Sequence, residues 1–553
     1  MAASKDQVEE LCPHITLTDV GKYSLAQLCV YILSNINETQ SDVVWSQSYI
    51  SKIVEDLGLP LSVATSFHLM LDETEGSEDD KNIELLVNTL KDEASLSEDI
   101  SLLGQELIRL SIKQGGYDAR ARVLIYIFAC KLGTREEEIE SYEDDLADRL
   151  NVLIEQDTEV HEEADKRKSY RKKKKAFMIG LGVVAGGAII GLTGGLAAPV
   201  VAASAGALIG GGGATFLASS AGIAFITSVF GATGAGLTGY KMSRRVGMTE
   251  EFSFLHLSDC MHRLHVTICV SGWLMESGTV EFITQWSALS PSLEAYSLVW
   301  ESKFLLELGS AIRDIITTNV LGTAATEALK YTVLQGIMAA IAWPVTLLSA
   351  AYLIDNPWSV CASRAKEVGK ELARVLLLRN QGKRPVNLVG FSLGARVIYY
   401  CLEELSAHAD SGGIVQNVIV LGAPVSGNAD KWQRLTDVVA GTIFNGFCRK
   451  DWFLRFIYRA SSLRASIAGL CEIPWKSKKM INLDLTEIIN GHMDYSDPEN
   501  LRIIFEMIGV RTNSNKRRLS IDSKEDSTYC FVDHMPEKQT DTASNTPVAE
   551  DIT

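Results

Sequence analysis

Val386-Asn387-Leu388-Val389-Gly390-Phe391-Ser392-Leu393-Gly394 is the stretch that decides the fold. A short apolar strand (Val386, Leu388, Val389) runs into Gly390-Phe391-Ser392-Leu393-Gly394, and a helical pattern continues from Ala395 to Leu405. This is Gly-x-Ser-x-Gly in the strand–turn–helix setting that gives the motif its meaning. A serine on such a turn sits in a strained elbow, and the elbow glycines Gly390 and Gly394 let neighbouring backbone pass closely. Its hydroxyl is raised above the sheet, and the N–H of Leu393 points to where an oxyanion would form.

A serine hydroxyl is a poor nucleophile at neutral pH unless a base takes its proton and an acid orients that base. On an α/β-hydrolase scaffold these partners follow in the order Ser, acid, His, each on a loop after a strand. His492, in Asn490-Gly491-His492-Met493-Asp494-Tyr495, follows the apolar run Met480–Leu483 and is the expected base. His408 ends the helix after the elbow and His534 lies in the polar tail. Asp451 follows the strand pattern Gly441–Phe447 and is the expected acid, although an Asp before a helix is also a common cap. Asp430 and Asp437 come one strand too early, while Asp484 and Asp494 compete from beside the histidine. The second oxyanion donor is expected after the strand His265–Val270, at the N–H of Trp273, with Gly272 clearing the approach. This reading needs no cofactor and no metal.

Outward from the elbow, alternating strand and helix patterns over about 250–510 predict a mostly parallel sheet. The remaining strands are expected at Ala295–Val299 and Val415–Leu421, with an apolar helical insertion at about 316–375. Within that insertion Leu334–Ile354 is nearly uncharged, the pattern of a membrane contact, a cap over the site or a buried helix.

The net charge of −17 is unevenly spread. Residues 1–165 carry 35 Asp/Glu against 12 Lys/Arg, which leaves about −23 there and about +6 for the rest of the chain. Apolar residues at three- and four-residue spacing predict an acidic helical domain over 1–165. Its last helix, with Leu146, Leu150 and Leu153 on one face, could form a short coiled coil. Such a domain could bind protein partners. No extended basic face with interleaved aromatics points to nucleic acid.

A basic run, Lys166 to Lys175, then opens 65 residues without a charge, Ala176 to Tyr240, which hold 17 of the 43 glycines. About twenty apolar residues cross the hydrocarbon core. Ala176–Ala198 and Ala214–Gly239 each supply that length, so 166–245 is expected to form a two-span hairpin. Basic flanks on both sides (the Lys166–Lys175 run, then Lys241, Arg244 and Arg245) place both termini and the sheet domain in the cytosol. The N-terminus lacks the apolar run of a cleavable signal peptide. Ten scattered cysteines without metal spacing fit reduced thiols. The polar tail, 511–553, is expected to be disordered.

Val270-Ser271-Gly272-Trp273-Leu274, Leu388–Arg396, Leu421-Gly422-Ala423-Pro424-Val425, Asp451-Trp452 and Gly491–Tyr495 together resemble a eukaryotic family of membrane-anchored α/β-hydrolase-like proteins, the transmembrane and coiled-coil domain-containing proteins. The resemblance covers roughly 165–510, hairpin included, and implies the hydrolase fold and a membrane setting without a substrate. The expectation is therefore a membrane-anchored serine hydrolase acting on carboxylic esters. Lipid esters are favoured because the hairpin brings the site near acyl chains. The alternative is a catalytically idle hydrolase fold serving as a membrane scaffold or trafficking adaptor.

Overall fold

The computed structural model describes residues 15–151, 228–231, 237, 249–326, 345–458 and 466–513, with short breaks at 73–79, 98, 114 and 259. Almost all of the expected hairpin, residues 327–344 of the insertion and the tail beyond 513 lie outside these residues. Among the described residues no helix is long and apolar enough to cross a membrane.

Seven strands form one sheet: β1 (Phe252–His256), β2 (Val266–Val270), β3 (Ala295–Trp300), β4 (Val386–Phe391), β5 (Val415–Leu421), β6 (Ile443–Phe447) and β7 (Met480–Asp484). Their order is β1-β3-β2-β4-β5-β6-β7, and every neighbouring pair is parallel except β1 with β3. Strands covered on both faces are buried along their length, and all seven residues of β5 are buried, Gln416 and Asn417 among them. The edge strand β1 has no counterpart among the strands expected from sequence. It is five residues long and keeps only Phe252 and Phe254 buried, so its alternation is short and easily missed.

Helix Leu393–Leu405 covers one sheet face, where a Cβ added to Gly390 would lie 2.8 Å from Ile398 Cδ1. Helices Ser302–Thr326 and Val345–Leu377 occupy the connection between β3 and β4. The other face, carrying Asn387 and Val389, meets the N-terminal helices, because side chains alternate along β4.

Those helices are Asp19–Ile36, Gln40–Asp56, Leu61–Asp72, Asp80–Lys91, Leu102–Lys113 and Ala119–Leu132, followed by 136–151. Their starts are fixed locally: Thr39 and Asp42 form a capping box, and Asp118 accepts from Arg120 N. Gly133, at φ 85°, ends Ala119–Leu132 in the left-handed conformation that suits glycine. They enclose their own core, to which 136–151 contributes Ile139, Leu146, Ala147 and Leu150. The seam to the sheet carries ion pairs, buried at Arg122 and partly exposed at Arg511. Arg122 donates to Glu143 at 2.7 Å and to Gln416 at the start of β5 at 2.8 Å. Arg511 pairs with Glu140 at 3.0 Å and Asp144 at 2.6 Å.

Candidate active site

Parallel strands present their carboxyl ends at a single edge of the sheet, and Trp273, Ser392, Asp451 and His492 follow β2, β4, β6 and β7 there. Ser392 has φ 51° and ψ −122°, a positive φ that costs a non-glycine residue about 1–3 kcal/mol. The strain is held by Ser392 N–H donating to Leu421 O at 2.9 Å and by the first turn of the helix behind it. Gly394 permits this turn, since a Cβ there would run into the Val270 carbonyl.

Ser392 Oγ lies 2.7 Å from His492 Nε2, and His492 Nδ1 lies 2.6 Å from Asp451 Oδ2. With Nδ1–H donating to the carboxylate, Nε2 is left to accept the serine proton. The cap and acid readings of Asp451 do not compete. Oδ1 accepts from Leu454 N at 3.0 Å and caps helix Trp452–Ile457, while Oδ2 faces the imidazole. Phe453 at 5.0 Å, Trp273 at 5.2 Å and Tyr495 at 5.8 Å, centroid to centroid, pack around the His492 ring. Ser392 and Asp451 are fully buried and His492 is 2% exposed.

The other candidates are engaged elsewhere. Asp484 accepts from Arg449 at 2.9 Å. Asp494 Oδ2 accepts from Asn490 N at 2.9 Å and Gly491 N at 3.1 Å, which shapes the loop carrying His492. His408 faces Glu404 at 3.6 Å in a half-exposed pair, and His534 lies outside the described residues.

Leu393 is the first residue of its helix, so its N–H has no acceptor within that helix. The loop after β2 packs directly on the elbow: a Cβ on Gly272 would fall 2.7 Å from Ser392 Cβ and 3.0 Å from Leu393 N. The Trp273 N–H has no backbone acceptor among the described residues. Three side chains that the sequence did not single out fix this loop. Trp286 donates to Ser271 Oγ and Trp300 to Ser271 O, each at 3.1 Å, while Gln285 donates to Trp273 O at 3.3 Å. The signal available was modest: a buried indole N–H seeks an acceptor. Among the described residues no His, Cys, Asp and Glu cluster could hold a metal ion.

A family model described as a protein of unknown function (DUF726) matches residues 171–511. An uncharacterized membrane protein of Caenorhabditis elegans is 40% identical over 96% of this chain and 86% of its own length. The rice transmembrane and coiled-coil domain-containing protein STS1 is 39% identical over 69% of this chain and 59% of its own. A Saccharomyces cerevisiae protein named probable lipase MIL1 is 32% identical over 74% of this chain but only 38% of its own. No solved structure matches the chain. This chain, elbow and flanking loops included, belongs to the DUF726 family of proteins of unknown function.

Proposed function

We propose that this chain is a membrane-anchored serine hydrolase of the α/β-hydrolase fold that cleaves carboxylic esters, with lipid esters as the substrate class. Ser392 attacks the ester carbonyl as His492 takes its proton. Asp451 holds the imidazole in the required tautomer, and the N–H groups of Trp273 and Leu393 receive the oxyanion. His492 then returns the proton to the leaving alkoxide. Water repeats the sequence on the acyl-enzyme, releasing the carboxylic acid and restoring Ser392.

The observation that carries this reading is the buried relay of 2.7 Å and 2.6 Å hydrogen bonds ending on a serine at positive φ. A fold without chemistry has no physical need to store that strain. The lipid class rests on the uncharged stretch Ala176–Tyr240 and on the name of the yeast relative. The test is labelling of the full-length protein with a fluorophosphonate. Labelling that Ser392→Ala abolishes is expected, and an unlabelled but folded protein would favour the idle membrane scaffold instead. Carbonate extraction tests the anchor: the protein should stay with the membrane pellet, and its release would overturn spanning.

A further inference from the structure

On the sheet face opposite helix Leu393–Leu405, the N-terminal helices leave a cavity of about 120 Å³. One water needs only about 10–15 Å³ measured this way, so the space suits a molecule of several heavy atoms. Val389 and Ile419, adjacent in the sheet, and Ile127 form an apolar part of its wall, while Glu136, Glu140 and Lys478 are among the charged residues that line the rest. A parallel sheet normally carries apolar residues on both faces. Here His265, Thr267 and Asn387 line the cavity as well.

Two of these polar groups lack partners. His265 Nδ1 and Asn387 Oδ1 are buried without a hydrogen bond among the described residues. The nearest acid to the imidazole, Glu143, is 3.9 Å away and beyond hydrogen-bond reach. Burial, together with Arg122, Arg511, Arg384 and Arg263, holds His265 well below its ordinary pKa and therefore neutral. Of the guanidiniums in the wall, Arg122 is engaged by Glu143 and Gln416, whereas Arg511 faces Glu140 and Asp144 yet keeps Nε and Nη2 without a hydrogen bond among the described residues. Burying a polar atom without a partner is costly, and a bound molecule that supplies the partner recovers that cost.

We propose that this cavity is a second, non-catalytic ligand site for a neutral amphiphile, whose hydroxylated head pairs with His265 and Asn387 and whose alkyl part lies on Val389, Ile419 and Ile127. The site stands apart from Ser392 and does not depend on the hydrolase reading.

The test uses the full-length protein in detergent and a medium-chain alkanol carrying a terminal diazirine. After irradiation, crosslinks are mapped by peptide mass spectrometry. Labelling is expected on Ala119–Leu132 and on β4 or β5, and octanol should displace it at far lower concentration than octanoate. Lys479 also lines the cavity, so equal displacement by octanoate would overturn the neutral-head assignment. Asn387→Leu should weaken octanol competition by about tenfold, the effect of losing one ligand hydrogen bond. The milder Thr267→Val should weaken it less, and the competition in the unmodified protein needs no variant to fold. Labelling should persist in Ser392→Ala. Crosslinks confined to other peptides, or insensitive to both substitutions, would sink the proposal.

Discussion

Asp451 does two jobs with two oxygens, and substitutions separate them. Asp451→Asn keeps an oxygen to cap helix Trp452–Ile457 but removes the carboxylate facing His492. Esterase turnover should fall by about 10⁴, as in the serine protease example where the same exchange gives the wrong imidazole tautomer. The thermal midpoint should barely move. Asp451→Ala removes the cap too, so stability should drop by a further 0.5–2 kcal/mol or so. Ester turnover and calorimetry on the two variants together check this, and equal midpoints would remove Asp451 from the capping role. At this scale much of the candidate site was legible. Chain order and loop position single out Ser392, Asp451 and His492, because the chemistry demands that sequence of groups. Trp286, Trp300 and Gln285 were not legible, because their contacts to the 271–273 loop arise only when β2 and β3 pair. No motif spacing records such a contact.

Among the elements, the entries to β3 and β4 are tied by a buried pair. Arg384 donates to Glu294 at 2.7 Å and 3.1 Å, and Glu294 also accepts from Tyr296 at 2.8 Å and from Arg263 N at 2.7 Å. Burial alone would raise the Glu294 carboxyl, but Arg384 and these hydrogen bonds outweigh it and hold the group below the ordinary glutamate value. A lowered folded-state pKa adds stability that is complete above the unfolded value, about 4.3, and is lost as pH falls through the folded value. Glu294→Gln should therefore cost about 3–5 kcal/mol at neutral pH, since it leaves Arg384 buried beside a neutral amide. It should also flatten the fall in stability below about pH 4. Urea unfolding at stepped pH reads both, and an unchanged acid slope would refute the assignment. The inner strands were visible as mainly apolar runs because both their faces are covered. The edge strand β1 was not, since a five-residue strand with a single well-buried face resembles a loop.

For the whole molecule, the sequence reads as an acidic helical domain ahead of the sheet, and acidic side chains are ordinarily left to solvent. Glu143 breaks that pattern. It is 1% exposed and accepts from Arg122, Tyr117 and Tyr126, while Arg122 reaches on to Gln416 of the sheet. Residues 21 positions apart give no sequence signal that they will meet, and nothing local marks Gln416, 294 positions beyond Arg122, as their neighbour. The helical core and the sheet are thus joined by charges that neither can leave unpaired. Burying one partner alone is costly, whereas replacing a buried pair by apolar groups is often close to neutral. Glu143→Ala should destabilise the protein by about 3–5 kcal/mol and lower its calorimetric midpoint, because the Arg122 guanidinium stays buried with Gln416 and Tyr126 alone. Arg122→Leu with Glu143→Leu should recover most of that loss. Because the sheet edge carrying Ser392 lies away from this seam, the fluorophosphonate labelling expected of the proposed hydrolase should survive both changes at low temperature. A single substitution that leaves the midpoint unchanged, or a double one that lowers it further, would show that the seam is held by its apolar contacts and that Arg122 and Glu143 only decorate it.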